Sequence, residues 1–232
     1  MMRRVRNAVL SWRVIGCFLI SSFIICLTRN EMAFSFSYLG GVVLGGSLDI
    51  VSIIRWNVCV LAPVALSWLY FAPQLGPLCV YTMIRSGNIR RWLIERLTIV
   101  VILNFIYPLF NLCISCVEGI YTAYYAMDIL KIYILFVGHT LMVSLISIVA
   151  FVLCRSAKAA VYLFAGFEII GICVGSIIPS LAPYLPSFWG MYSTQGASAA
   201  SMSCMLLVIL GSCIVLAIHF SRRNPTVDHY LF

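Results

Sequence analysis

Residues 132–179 read IYILFVGHTLMVSLISIVAFVLC, then RSAK, then AAVYLFAGFEIIGICVGSIIP. Two apolar runs, Ile132–Cys154 and Ala159–Pro179, flank the four residues Arg155-Ser-Ala-Lys158. An α-helix rises about 1.5 Å per residue, so each run is long enough for a hydrocarbon core of roughly 30 Å. Four residues leave room only for a tight turn, and its two cations mark the end that stays in water. The stretch therefore predicts a membrane-spanning helical hairpin, and it sets the scale for the rest of the chain.

Working outward, the same pattern predicts six spans in one domain covering residues 1–232: about 14–27, 56–79, 97–117, 132–154, 159–179 and 202–220. Twelve of the fifteen basic residues fall on one side of that arrangement. Arg3, Arg4, Arg6 and Arg13 precede the first span, and Arg85, Arg90, Arg91 and Arg96 lie between the second and third. Arg155 and Lys158 form the hairpin turn, and Arg222 and Arg223 follow the sixth span. Only Arg29, Arg55 and Lys131 remain for the other face. Short basic loops are retained in the cytoplasm, which places both termini inside. The first span is short, with Arg13 and Arg29 able to snorkel at its ends. A basic start followed by an apolar run also fits a signal peptide, but Ala33-Phe34-Ser35 is a poor small-x-small cleavage site.

Composition agrees. Hydrophobic residues make up 63% and charged residues 9% of 232, and mean hydropathy is +1.07, against roughly 25% charged in soluble domains. The net charge of +8 is segregated to one face, which points to anionic lipid rather than nucleic acid. The ten cysteines are scattered along apolar segments, where they read as small packing residues rather than a disulfide framework.

Two linkers carry information. Tyr81–Arg96 contains Gly87 and Asn88, which allow a bend, and Asn88 can cap a helix starting at Ile89. Arg90, Arg91 and Glu95 then supply charge, while Trp92 and Leu93 supply an apolar edge. That describes a short amphipathic element at the cytoplasmic surface, either gripping lipid phosphate or docking a partner through Trp92 or Ile89. The second linker, Pro179–Ser193, contains Pro179, Pro183 and Pro186, which rule out one continuous helix. Its aromatics Tyr184, Phe188, Trp189 and Tyr192 suit an outer interface or a re-entrant dip. Phe34–Gly46 is itself apolar, with four glycines, and is a second candidate for partial re-entry.

The basic N-terminus, the Ile84-Arg-Ser-Gly-Asn-Ile-Arg-Arg-Trp92 segment after span two and the proline- and aromatic-rich outer segment together resemble the six-span permease subunits of ABC-2 type transporters. The resemblance implies an interfacial amphipathic helix at Arg3–Arg13 and a coupling region at Arg85–Arg96. It also implies short re-entrant helices at Ser180–Tyr192. The coupling residues would be Arg85, Asn88, Ile89, Arg90, Arg91, Trp92 and Glu95. The partners it implies are two cytoplasmic ATPase subunits carrying ATP and Mg, a second permease copy or homologue, and the lipids of a bacterial cytoplasmic membrane.

The chain contains no G-x-x-x-x-G-K-[ST] loop and no Gly-Lys pair, so ATP hydrolysis would belong to a separate polypeptide. Cys113 and Cys116 share a helical face, but no histidine or second pair completes a four-ligand site. Glu168 lies mid-span, where a carboxylate costs about 3 kcal/mol on insertion scales, so it should face the bundle interior. It is a candidate for lining a translocation path or for pairing with His139 across the hairpin. Asn104 and Asn111, seven apart beside Pro108, are further path candidates or interhelical hydrogen-bonding groups. The leading expectation is thus a permease subunit exporting a peptide, lipid or hydrophobic compound. The alternatives are an intramembrane enzyme and a non-transporting accessory or immunity protein.

Overall fold

The structure, a computed structural model, describes residues 12–27, 50–71, 89–117, 126–154, 156–192 and 199–222. Arg3–Ser11, Phe34–Gly46, Arg85 and Asn88 lie outside the described residues, and so do the readings that rest on them. The described residues are almost wholly helical, with no strand among them. Its elements are α1 (Trp12–Leu27), α2 (Ile50–Phe71), α3 (Ile89–Val117), α4 (Ala126–Cys154) and α5 (Ala157–Phe164). A π-helical turn (Ala165–Ile170) leads from α5 into α6 (Gly171–Ile177). Two short 3₁₀ turns (Pro179–Tyr184 and Pro186–Phe188) follow, and α7 (Ala199–Arg222) ends the bundle.

Among the described residues, three helices are long and apolar enough to cross a membrane: Arg90–Cys113, Met127–Cys154 and Ala199–Ser221. Trp56–Trp68 and Tyr162–Ile177 are shorter apolar stretches. These helices suggest a membrane protein, and the distribution of side chains fits that. Leu206, Leu207, Leu210, Ile214 and Ile218 form an exposed stripe along α7, and Val101, Phe105 and Leu109 do the same on α3. Ser67, Asn104, Asn111, Thr140, Ser144 and Ser147 are buried. Water would impose the opposite partition; hydrocarbon outside the bundle rewards this one.

Helix boundaries differ from the sequence expectation in three places. The second apolar helix begins at Ile50 rather than near Trp56, so Arg55 lies within it. The stretch Ile89–Arg96 is not a separate surface element. It forms the first two turns of α3, which continues unbroken to Val117. Likewise α4 starts at Ala126 and takes in Asp128 and Lys131, whose charged groups pair at 3.3 Å. In each case a polar or charged residue at the end of an apolar run continues the helix, because nothing in the local sequence breaks it.

Helix α4 is the hub, packing against α2, α3, α5 and α7. One core layer joins α2 to the 3₁₀ turns and α7 through Trp56, Phe136, Met142, Phe188 and Met205. A second closes the other end of the bundle with Phe71, Trp92 and Phe220. A third seats α1 through Val14 and Phe18 against Leu66, Ile99 and Tyr107. Among the described residues, two prolines sit inside α-helices, Pro63 in α2 and Pro108 in α3. Each withholds an N–H from the carbonyl four residues back, and the Ser67 hydroxyl donates to the Pro63 carbonyl at 2.8 Å.

Candidate functional site

Halfway along α4, His139 belongs to the inward stripe Ile132–Phe136–His139–Val143, all buried. On the facing helix the inward stripe is Phe164–Glu168–Ile172–Gly175. Glu168 falls within the π-helical turn, where one extra residue per turn re-aims the side chains that follow it; such turns recur at functional sites. The two stripes meet. His139 Nε2 stands 3.0 Å from Glu168 Oε1, and both side chains are 0% exposed.

The contact is at ion-pair distance but outside hydrogen-bond alignment, and His139 Nδ1 and Glu168 Oε2 find no hydrogen-bonding partner among the described residues. Trp56 of α2 flanks the imidazole, ring centroids 5.6 Å apart. The outer segment covers it. A Cβ added to Gly190 would lie 2.3 Å from the His139 Cβ, so the Gly190 backbone rests directly on the histidine. The neighbouring Phe188 ring fills a notch at Gly175, where an added Cβ would come within 2.2 Å of it. Both contacts exist only because these positions lack a side chain. Carbonyl–amide bonds hold the covering turn: Phe188 N to Leu185 O at 2.9 Å, Trp189 N to Pro186 O at 3.2 Å and Met191 N to Phe188 O at 3.0 Å.

Electrostatically, a buried carboxylate alone is very costly, whereas an imidazole beside it permits a net-neutral pair that shares one labile proton. The arrangement sets one acid and one base face to face. It supplies two potential metal ligands, and no group of three occurs among the described residues.

Asn104 belongs to a different cluster. Its Nδ2 donates to Ser67 Oγ at 3.0 Å and to the Val100 carbonyl at 2.9 Å, and its Oδ1 accepts from Ser144 Oγ at 3.2 Å. One amide thereby ties α2, α3 and α4 together, the interhelical role of such groups in membranes. Asn111 is buried two turns further along α3. Of the four path candidates, the structure thus brings His139 and Glu168 together and uses Asn104 as an interhelical clasp.

Comparison with protein families, with curated proteins and with solved structures returns no match.

At the other end of the bundle, Trp92 is 1% exposed, its ring 5.5 Å from Phe220 and 6.2 Å from Phe71. This corrects the expectation of an outward anchor: Trp92 is a core residue of α3. Glu95 and Arg96 are buried as well, and the Arg96 guanidinium donates to the Tyr70 hydroxyl of α2. What this end presents outward is Arg90, Arg91 and Ile94, the last 61% exposed. Beside them a groove of about 340 Å³ runs between α3 and α7, lined by Leu93, Ile94, Ala217, Ile218 and Phe220, with Arg90 at its edge. The side chain of Ile89 lies outside the described set.

Proposed function

We propose that this chain is the membrane subunit of an ATP-driven transporter, with six spans and both termini in the cytoplasm of a bacterium. It would move a peptide, lipid or hydrophobic compound outward, with ATP and Mg held by two separate ATPase subunits. A second permease copy or homologue completes the assembly. The observation that carries the reading is the continuity of α3. Its first turns expose Arg90, Arg91 and Ile94, while Trp92, Leu93 and Arg96 grip α2 and α7. The same helix then reaches Asn104, clasped to Ser67 and Ser144. A partner pushing on the exposed end would act on a rigid lever rooted in the bundle, and Ser144 lies on α4 only five residues from His139. Packed elements with two arrangements are what transmit such motion.

In this reading Arg90 and Arg91 pair with acidic groups on the ATPase, and Ile94 takes the anchoring place first given to Trp92. The Pro179–Met191 segment is the re-entrant outer element. The substrate path runs between the hairpin and the second permease copy. The test is recovery of a nucleotide-binding chain with the tagged protein from its native membranes. Arg90→Glu with Arg91→Glu should reduce recovery more than tenfold, as expected for a charge-complementary contact. If no nucleotide-binding chain is recovered under conditions that keep the bundle folded, the transporter reading is wrong.

A further inference from the structure

We propose that the His139–Glu168 pair is a proton-binding site to which the Pro186–Met191 segment controls access, so that charging the pair and lifting the segment are one linked event. The proposal stands on the bundle geometry and does not depend on the transporter reading.

The pair is fully buried: Trp56 of α2 flanks the imidazole, the Gly190 backbone rests on it, and Trp56 belongs to the same apolar cluster as Phe136, Phe164, Phe188 and Met191. With one labile proton the pair is neutral. One more proton gives imidazolium facing a carboxylic acid, net +1; one fewer gives neutral imidazole facing carboxylate, net −1. Either charge is strongly disfavoured without water and acceptable with it. The part of the enclosure that can yield is the outer segment, held by short 3₁₀ turns and the Gly175 notch rather than by a long helix. Lifting it removes Gly190 from His139 and Phe188 from above Gly175, which admits water to Nδ1 and Oε2. Those two atoms have no partner in the closed state, and water supplies one for each.

The titratable groups on the surrounding elements are few. From α2 the enclosing cluster contains the Cys59 thiol. On α4, Asp128 and Lys131 neutralise each other at 3.3 Å, and the Tyr192 hydroxyl of the outer segment donates to Asp128 at 3.0 Å. Asp128 is eleven residues from His139, about 16 Å along a helix. The Tyr133 hydroxyl points away, donating to Phe105 on α3. α7 brings Met202, Met205, Val208 and Ile209 to this layer, none of which titrates.

Linkage then sets the sign. Closed, the pair is neutral; open, it can gain or lose a proton. Acid and alkali therefore both favour the open segment, each by up to about tenfold per pH unit for one proton. Hydrogen exchange of the full chain in lipid nanodiscs measures this directly. Protection of the Phe188, Trp189 and Met191 amides, corrected for the intrinsic pH dependence of exchange, should be greatest in a middle window and fall on both sides. Glu168→Gln removes the group that becomes anionic, so only the acid limb should survive. His139→Asn removes the group that becomes cationic, so only the alkaline limb should survive. A structural role alone would lower protection without changing either limb.

A third variant covers the case in which those two do not fold. Phe188→Ala leaves the pair intact and weakens the closure, so protection should fall by the same factor at every pH while both limbs keep their positions. A flat profile in the parent, both limbs persisting in the two pair variants, or a limb lost in Phe188→Ala would each overturn the proposal. None of these outcomes bears on whether an ATPase binds at Arg90 and Arg91.

Discussion

Replacing Trp92 with alanine separates a buried anchor from a docking anchor. The indole is enclosed between Phe71 and Phe220, and the Arg96 guanidinium lies 5.9 Å above its ring. Truncating a core tryptophan costs about 3–5 kcal/mol. Much of that loss is packing, because lipid tails are as apolar as the side chains they replace, so the lower end, about 3 kcal/mol, applies in a bilayer. Part of this belongs to the two aromatic contacts, each worth about 0.5–1.5 kcal/mol. Trp92→Phe should keep one of them and cost about half as much. Ile94→Ala, two residues away on the outward face, removes no core contact and should stay within about 0.5 kcal/mol of the parent. Reversible unfolding in mixed micelles, followed by tryptophan-independent circular dichroism, ranks the three. Recovery of a nucleotide-binding chain is then scored at matched folded fraction. Ile94→Ala should lose partner with stability intact, and Trp92→Ala should lose stability first. If Trp92→Ala unfolds like the parent yet recovers no partner, the placement of Trp92 in the core is wrong, and so is the lever built on it.

Gly175→Ala should destabilise by about 1–3 kcal/mol through overpacking, since its Cβ would meet the rigid Phe188 ring at 2.2 Å. Phe188→Ala in the same chain should return at least about 0.5 kcal/mol of that in a double-mutant cycle, and strict additivity would refute the notch. Asn104→Leu should cost about 1–2 kcal/mol, as expected for an interhelical polar clasp. The loss should fall mainly on Ser144, because Ser67 retains its bond to the Pro63 carbonyl. A Ser144→Ala change should then cost less in the Asn104→Leu background than in the parent, and equal costs would refute the pairing.

The first leg of the predicted hairpin was legible because its apolar run is long enough to cross a membrane, and α4 is such a helix; the second leg is instead divided into α5, the π-helical turn and α6, and Tyr162–Ile177 is a shorter apolar stretch. The start of α3 was not legible. Trp92, Leu93, Arg96, Ile99, Val100 and Leu103 share one buried helical face, so the apolar edge of the basic segment is the first turn of a core stripe. Read as far as Arg96 alone, it looks like an amphipathic surface helix; read through to Leu103, the period identifies it. Hydropathy gave no help on which side faces inward, since on α7 Leu216 and Phe220 are buried while Leu206, Leu210 and Ile214 are exposed. Polar residues were the better guide. Asn104, Asn111, His139 and Glu168 all turned inward, because a group with hydrogen bonds to satisfy has nowhere to find them in hydrocarbon.

What the sequence hid is the closure over the pair. A carboxylate in one run and a histidine in its hairpin neighbour suggested that the two meet, but their depth match is adjusted by the π-helical turn, a backbone feature with no side-chain signature beyond the glycines at 166 and 171. The prolines of the outer segment announced that it is not a helix, without saying where it rests. That depends on two complementarities between distant positions, Phe188 with Gly175 and Gly190 with His139. Each glycine looks unremarkable on its own line of sequence, and each aromatic ring has a ready alternative explanation at a lipid interface. The pairing becomes legible only when both partners are known, because a missing side chain carries no chemistry until something is found to occupy its space. The same reasoning makes the notch a sharper probe of this bundle than its apolar core. A core leucine in lipid can be exchanged for another apolar residue at little cost, whereas the two glycines tolerate no substitution that leaves the outer segment where it lies.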